Sequence, residues 1–271
     1  MVLQAPVDLR GWIDHFRDAP IPVLQQSAAA LDALRANDDA DVRAIAAIAA
    51  DDPLLTLRVL AMVSRNRPQR LMTDVETVDA AILLLGIPPL LRQLADLPTV
   101  ESRLAAFPDA LQGLQRVLCR AQRAAVFALS IAVSRKDNEA AIVHEAAMLH
   151  DFAEALLWCH APQLALRIDA MQRDDPTLRS AAAQRAVLHI ELPDLEQALM
   201  RCWRLPELLV KITDHRQERE PRVRNVLLAV RLARHSQRSW DNPALPDDLR
   251  EIGELVSQTP LAVRRRLMAL A

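Results

Sequence analysis

The stretch AAMLHDFAEALLW (residues 146–158) sets an adjacent His150–Asp151 pair inside an otherwise apolar run with helical spacing. A ligating or charged pair in such a run is costly unless each member has a partner. The stretch therefore admits two readings. Either the pair binds something, or it is a polar joint between helices that keeps the residues of a former site.

The chain on either side has the same helical character. Apolar spacing predicts helices at 7–18, 23–36, 42–50, 53–63, 73–85, 89–97 and 111–134 before the pair. A single helix over 140–159 is expected to carry His150 and Asp151. Further helices are expected at 162–171, 177–190, 193–203, 206–216, 222–239, 246–257 and 260–271. Leu129 is read as an inward position of the long 111–134 helix. Asp39 or Asp41 is a candidate cap for the third helix, and Asp51-Asp52 favours the positive end of the helix opening at Pro53. Thr73-Asp74-Val75-Glu76 matches a capping box, and Gly86 followed by Pro88 is a stop and a new start. Residues 64–72 read as a loop, and 98–108 as a joint between two halves. No strand alternation is found, so the expected fold is all-α.

Composition narrows the function. The 271 residues include only 4 glycines, which favours short helix–helix connections over Gly-rich hairpins. The formal net charge is −2, so the balance gives no reason to expect nucleic acid or an anionic membrane. Aromatics make up 3% and there is no Tyr, which argues against a stacking platform for single strands. Cys119, Cys159 and Cys202 lie far apart and form no CxxC. They read as small buried residues in a reducing compartment. No signal peptide and no membrane span are expected, so a cytoplasmic location follows.

Several segments together resemble a family. Ile21-Pro22-Val23-Leu24 precedes a helix, and the run Asp51-Asp52-Pro53-Leu54-Leu55-Thr56-Leu57-Arg58-Val59-Leu60 follows. Val75-Glu76-Thr77-Val78-Asp79-Ala80-Ala81-Ile82 comes next, with Leu85-Gly86. Then come Leu149-His150-Asp151, and Trp203-Arg204-Leu205-Pro206 with Asp214-His215 beyond it. In this order they resemble the HDOD domain, the HD-related output domain of bacterial signalling proteins. The resemblance covers residues 20–235. It implies an N-terminal helical subdomain at 21–104 packed on an HD-like helical subdomain at 105–240. An N-terminal helix at 1–20 and C-terminal helices at 241–271 flank them. The chain departs from the family at Val63-Ser64, at Cys119-Arg120-Ala121, at Ala153-Glu154, at Leu192 and at Asp214.

The HD superfamily, to which this resemblance leads, binds a divalent metal through a His, a His-Asp pair and a distant Asp, and the metal activates water. Here Ala121 stands at the first His position. The helix expected at 222–239, where the distant acid belongs, carries arginines and no Asp or Glu. Two neighbouring side chains cannot complete a coordination shell. His150, Asp151 and His215, with Asp214, are thus degenerate metal candidates, and no metal or cofactor is expected. Arg120 or Arg123 is an expected partner for Asp151. His144 and His189 read as helix residues without a ligand role, and His15, His160 and His235 as helix-end residues. The mixed-sign run from Arg216 to Arg224 reads as a solvated face. Arg264-Arg265-Arg266 suits the negative end of the last helix and is a possible docking cluster. The expected function is a non-catalytic regulatory module acting on protein partners in a signalling pathway. The alternative is a metal-dependent phosphohydrolase or a cyclic-dinucleotide-binding protein.

Overall fold

A computed structural model describes residues 4–35, 41–66 and 75–270. Among these residues the regular structure is helical, apart from one parallel bridge between Val23 and Thr99. The chain forms two compact units, Met1–Leu118 with Asp151–Leu205, and Cys119–His150 with Pro206–Ala271.

The first unit opens with α1 (Leu9–Phe16), α2 (Gln25–Arg35), α3 (Val42–Ala50), α4 (Pro53–Asn66), α5 (Val78–Leu85), α6 (Ile87–Gln93) and the short α7 (Val100–Arg103). It takes the first part of α8 (Pro108–Ser134). After α9 (Ala140–Leu149), which belongs to the second unit, come α10 (Phe152–His160), α11 (Pro162–Asp174), α12 (Ser180–Leu188) and α13 (Leu192–Cys202). The helices start where side chains satisfy free amides. Asp41 accepts from Ala44 N at 2.7 Å, and Thr77 from Ala80 N at 3.2 Å. Gly86, at φ 76°, ends α5 in a conformation that suits glycine. Gly113 has another role: a Cβ there would lie 2.4 Å from the Trp158 ring, so only glycine lets α8 approach α10 this closely.

A segment of this unit, residues 17–24, turns at 17–19 and runs on without helix from Pro20 to Leu24 as a strap whose backbone groups are satisfied by side chains from several helices. Trp203 Nε1 donates to Arg17 O at 3.0 Å, and Arg65 donates to the same carbonyl. His160 Nε2 donates to Pro20 O at 3.0 Å, and Arg58 Nη1 to Ile21 O at 2.8 Å. Leu24 N donates to Asp52 Oδ2 at 2.8 Å, while Asp52 Oδ1 caps α4 through Leu54 N and Leu55 N. An extended segment cannot satisfy its own carbonyls, so this lacing allows Ile21, Pro22 and Val23 to be buried.

The second unit contains the rest of α8, α9, α14 (Glu207–Ile212), a 3-10 helix (His215–Gln217), α15 (Pro221–His235), α16 (Leu245–Val256) and α17 (Pro260–Met268). α15 packs on both α9 and α16, and α17 on α16. Asp248 of α16 is buried between Arg231 Nε at 2.6 Å and His235 Nδ1 at 2.6 Å, both from α15. Arg231 Nη2 also pairs with Glu251 at 2.7 Å. Arg222, in the first turn of α15, pairs with Asp137 at 2.8 Å and holds that carboxyl below its usual range.

Several expectations change. The helix expected over 140–159 is broken between Leu149 and Phe152, and the division between units falls between His150 and Asp151. The helix expected from 73 starts at Val78 with Thr77 as its cap; Thr73, Asp74 and Asp39 lie outside the described residues. α4 continues to Asn66 into the expected loop, and 98–108 lies in the first unit, where it includes α7. Leu129 is 37% exposed and Cys119 is also exposed, because both fall on the outer face of α8. His189 is not helical: it caps α12 at φ 64°. By length and composition α8 could cross a membrane, yet 56% of the relevant window is buried, as in a core helix.

Candidate functional site

The His-Asp pair occupies the break between α9 and α10. His150 N–H reaches only to Ala147 O at 3.5 Å, and Asp151 leaves helical geometry at φ −108° and ψ 22°. Asp151 O then accepts from Ala155 N at 3.2 Å and so opens α10. Asp competes poorly inside a helix and well at its start, which explains the break. His150 is half-buried, and so is Asp151.

One residue near the pair left no mark in the sequence. Glu196 of α13 is 5% exposed and lies close enough to Asp151 for their charges to interact. Burial first, and then the Asp151 carboxylate, push the Glu196 carboxyl well above the usual range. It lies one turn beyond Leu192, the position at which the resemblance calls for a histidine. A glutamate on an amphipathic helix ordinarily reads as solvated, and only the packing of α13 against its neighbours in the unit buries it.

The remaining candidates are dispersed or otherwise engaged. Ala121 and Leu192 offer no ligating atom and are buried. The helix in which the distant acid was sought carries Asn225, 1% exposed, whose amide Nδ2 donates to Ala128 O of α8 at 3.1 Å. A neutral amide there ties two helices together and supplies no anionic ligand. Asp214 spends its carboxylate on its own loop, accepting from Arg216 N at 3.1 Å and Gln217 Nε2 at 3.3 Å. His215 is exposed. Arg123 donates to Ser236 O at 3.3 Å and Ser236 Oγ at 3.1 Å, and Arg120 is buried. Arg264 donates to Trp240 O at 3.2 Å and Arg266 to Gln258 Oε1 at 2.8 Å, while Arg265 stays exposed. Among the described residues no three His, Cys, Asp or Glu side chains come together as a metal would require. The residues present do not fit the metal centre of the HD superfamily.

Three of the segments that carried the resemblance meet at the strap. Ile21, Asp52, Arg58 and Trp203 all take part in lacing residues 17–24. His160, next to this strap, accepts from Arg103 Nη2 at 2.8 Å through Nδ1, and its Nε2–H is committed to Pro20 O. Burial and then the Arg103 charge press its pKa down to about 3, so the imidazole is neutral. Trp203 to Pro206 is a helix stop. Leu205 N bonds Met200 O at 2.9 Å and Arg204 N bonds Arg201 O at 3.1 Å, with Arg204 left-handed at φ 56°.

The sequence profile of the HDOD domain matches residues 21–219. The chain belongs to the HDOD domain family. Solved structures with this fold bear out the all-α HDOD architecture. The MmoQ response regulator of Methylococcus capsulatus is 22% identical, with a TM-score of 0.69 over 93% of this chain and 99% of that one. A virulence factor of Campylobacter jejuni is 17% identical, with a TM-score of 0.64 over 91% and 88%. An HDOD domain protein of unknown function from Geobacter sulfurreducens is 14% identical, with a TM-score of 0.52 over 96% and 92%. At these identities the likeness concerns the fold. No curated protein matches the chain.

Proposed function

We propose that this HDOD chain is a non-catalytic regulatory module that works in signal transduction by contacting protein partners. The observation that carries the reading is the fate of the HD ligand positions. Ala121 and Leu192 cannot ligate, Asn225 ties α15 to α8, and Asp214 caps its own loop. A hydrolytic centre needs several anionic or imidazole ligands aimed at one point. The response-regulator name of one structural neighbour is consistent with a signalling role.

The test is metal analysis of the purified chain after incubation with manganese and iron, alongside hydrolysis of a phosphodiester. The expected result is well under one metal per chain and no turnover. Stoichiometric metal that disappears in Asp151→Ala, with turnover lost in step, would overturn the reading in favour of a phosphohydrolase.

A further inference from the structure

We propose that α1 is an acid-released latch: proton uptake at His160 and His15 lifts it off the first unit while the helices beneath stay folded. The device goes beyond the regulatory reading and does not depend on it.

Three histidines from three elements converge on the N-terminal segment. His15 lies on α1, His160 ends α10 and His189 caps α12. The His160 ring meets the Phe16 ring edge-on at 5.6 Å and the His15 ring at 6.0 Å. Both of those rings belong to α1, so lifting α1 uncovers one face of His160. With Nε2–H on Pro20 O, an added proton can go only to Nδ1, which now accepts from Arg103 Nη2 at 2.8 Å. It would set two cations face to face. His15 Nε2 is buried and has no hydrogen-bond partner among the described residues, so a charge there is also unanswered. Burial, with the Arg103 charge adding to it, holds both imidazoles below the usual histidine range.

Among the described residues no carboxylate pairs with either ring. Glu101, on α7 with Arg103, accepts from Gln25 N at 2.9 Å. Asp52 is taken by the Leu24, Leu54 and Leu55 amides. Arg58 and Arg65 of α4 bring two further cations, on the carbonyls of Ile21 and Arg17. Glu196 of α13 interacts with Asp151. His189 Nδ1 meets Pro6 O at 3.1 Å, a single exposed hydrogen bond too weak to hold α1 by itself.

The release is local because α1 is a separable piece. It has 8 residues, too few to persist as an isolated helix, and it packs chiefly on α13. It precedes residues 21–219, which define the family domain, and a turn at 17–19 joins it to the strap. Opening it breaks the contacts of one terminal helix and leaves the core in place. The buried acids of the unit act in the opposite sense. Burial raises the Asp52 and Glu196 carboxyls, so the folded unit takes up their protons before the unfolded chain does. Acid thus tightens the helices beneath while it loosens α1. Above about pH 6.5 both histidines are neutral in either state and the latch is closed. As pH falls, the released state binds protons that the closed state refuses, and the ratio of open to closed rises by up to about tenfold per pH unit for each histidine. Release exposes Trp12 and Phe16, both buried when α1 is seated.

The test is hydrogen exchange of the full chain read by mass spectrometry at about pH 7.5 and about pH 4.5, with rates corrected for their intrinsic pH dependence. Protection of the α1 amides should fall about tenfold or more at the lower pH, while that of α10 and α13 holds. His160→Gln keeps an uncharged donor and acceptor, and should keep α1 protected at both pH values. Arg103→Gln removes the facing charge and should make the fall smaller than in the unaltered chain. His215→Ala, in the other unit, should behave as the unaltered chain does. A fall of less than about threefold, or α13 losing protection in step with α1, would overturn the proposal. So would an unchanged fall in His160→Gln or, should that variant not fold, an unchanged fall in Arg103→Gln.

Discussion

The two units bury polar groups by opposite means. In the first, the strap is satisfied by donors that meet backbone carbonyls: Trp203, Arg65, His160 and Arg58 all end on a C=O. In the second, α15 and α16 are joined by ion pairs of Arg231 with Asp248 and Glu251, beside a hydrogen bond between His235 Nδ1 and the Asp248 carboxylate. The first device depends on a neutral imidazole and therefore on pH. The second depends on ion pairs that are part-exposed on the arginine side, and so on ionic strength as well. One chain thus offers two independently adjustable sources of stability.

The comparison is most directly broken at Asp52. Its carboxylate is fully buried and accepts from Leu24, Leu54 and Leu55 amides, so Asp52→Ala strands donors of the strap and of α4 together. A loss of about 4 kcal/mol in urea unfolding is expected, from several buried donors left bare. The next effect is at His160. His160→Phe should cost about 3 kcal/mol at neutral pH, because the Arg103 guanidinium and Pro20 O lose their partner. The sign of its pH dependence follows from a folded pKa of about 3. Below about 6.5 the unfolded chain takes up a proton that the folded chain refuses. Stability is therefore lost as pH falls from that value toward 3, and the Phe variant should lack this part of the acid loss.

Smaller effects sharpen the contrast. Asp248→Asn should cost about 2 kcal/mol, between the ranges for exposed and buried pairs. Its cost should shrink in high salt, whereas that of His160→Phe should not. Glu196→Gln should change stability in the other direction. With a raised carboxyl pKa, the unfolded chain ionises first as pH rises through the ordinary glutamate range, so the folded state is progressively penalised. The amide should gain about 1 kcal/mol near pH 8 and nothing below about pH 4. Melting curves at the two pH values check this, and a Gln variant that is less stable near pH 8 would refute the assignment.

Much of the fold was legible in the residues. Gly86 ended its helix, Pro53 opened another, and Asp41 capped a third, because these effects act within one turn of chain. The order of weak motifs gave the family. Other features could not be read this way. Inward and outward positions of α8 differ only in which face meets a neighbour. Leu129 lies on the outer face for that reason, while the nearby Ile131 is fully buried. Asn225 carries no charge, so its place on the helix where an acid is expected gives no sign of the bond it makes to α8. Glu196 is a helical glutamate, and nothing local to it signals burial.

The opening stretch divides along the same line. Its residues alone determined that the segment is helical and that His150 and Asp151 interrupt an apolar face. Local propensity even contains the reason for the break, since Asp favours a helix start over a helix interior. Only the tertiary structure decided that the break is real, that Asp52, Arg58 and Trp203 meet at the strap, and that Glu196 comes close to Asp151. Those outcomes depend on contacts between residues far apart in the chain, and burial is a property of the packed molecule that no short window of sequence contains.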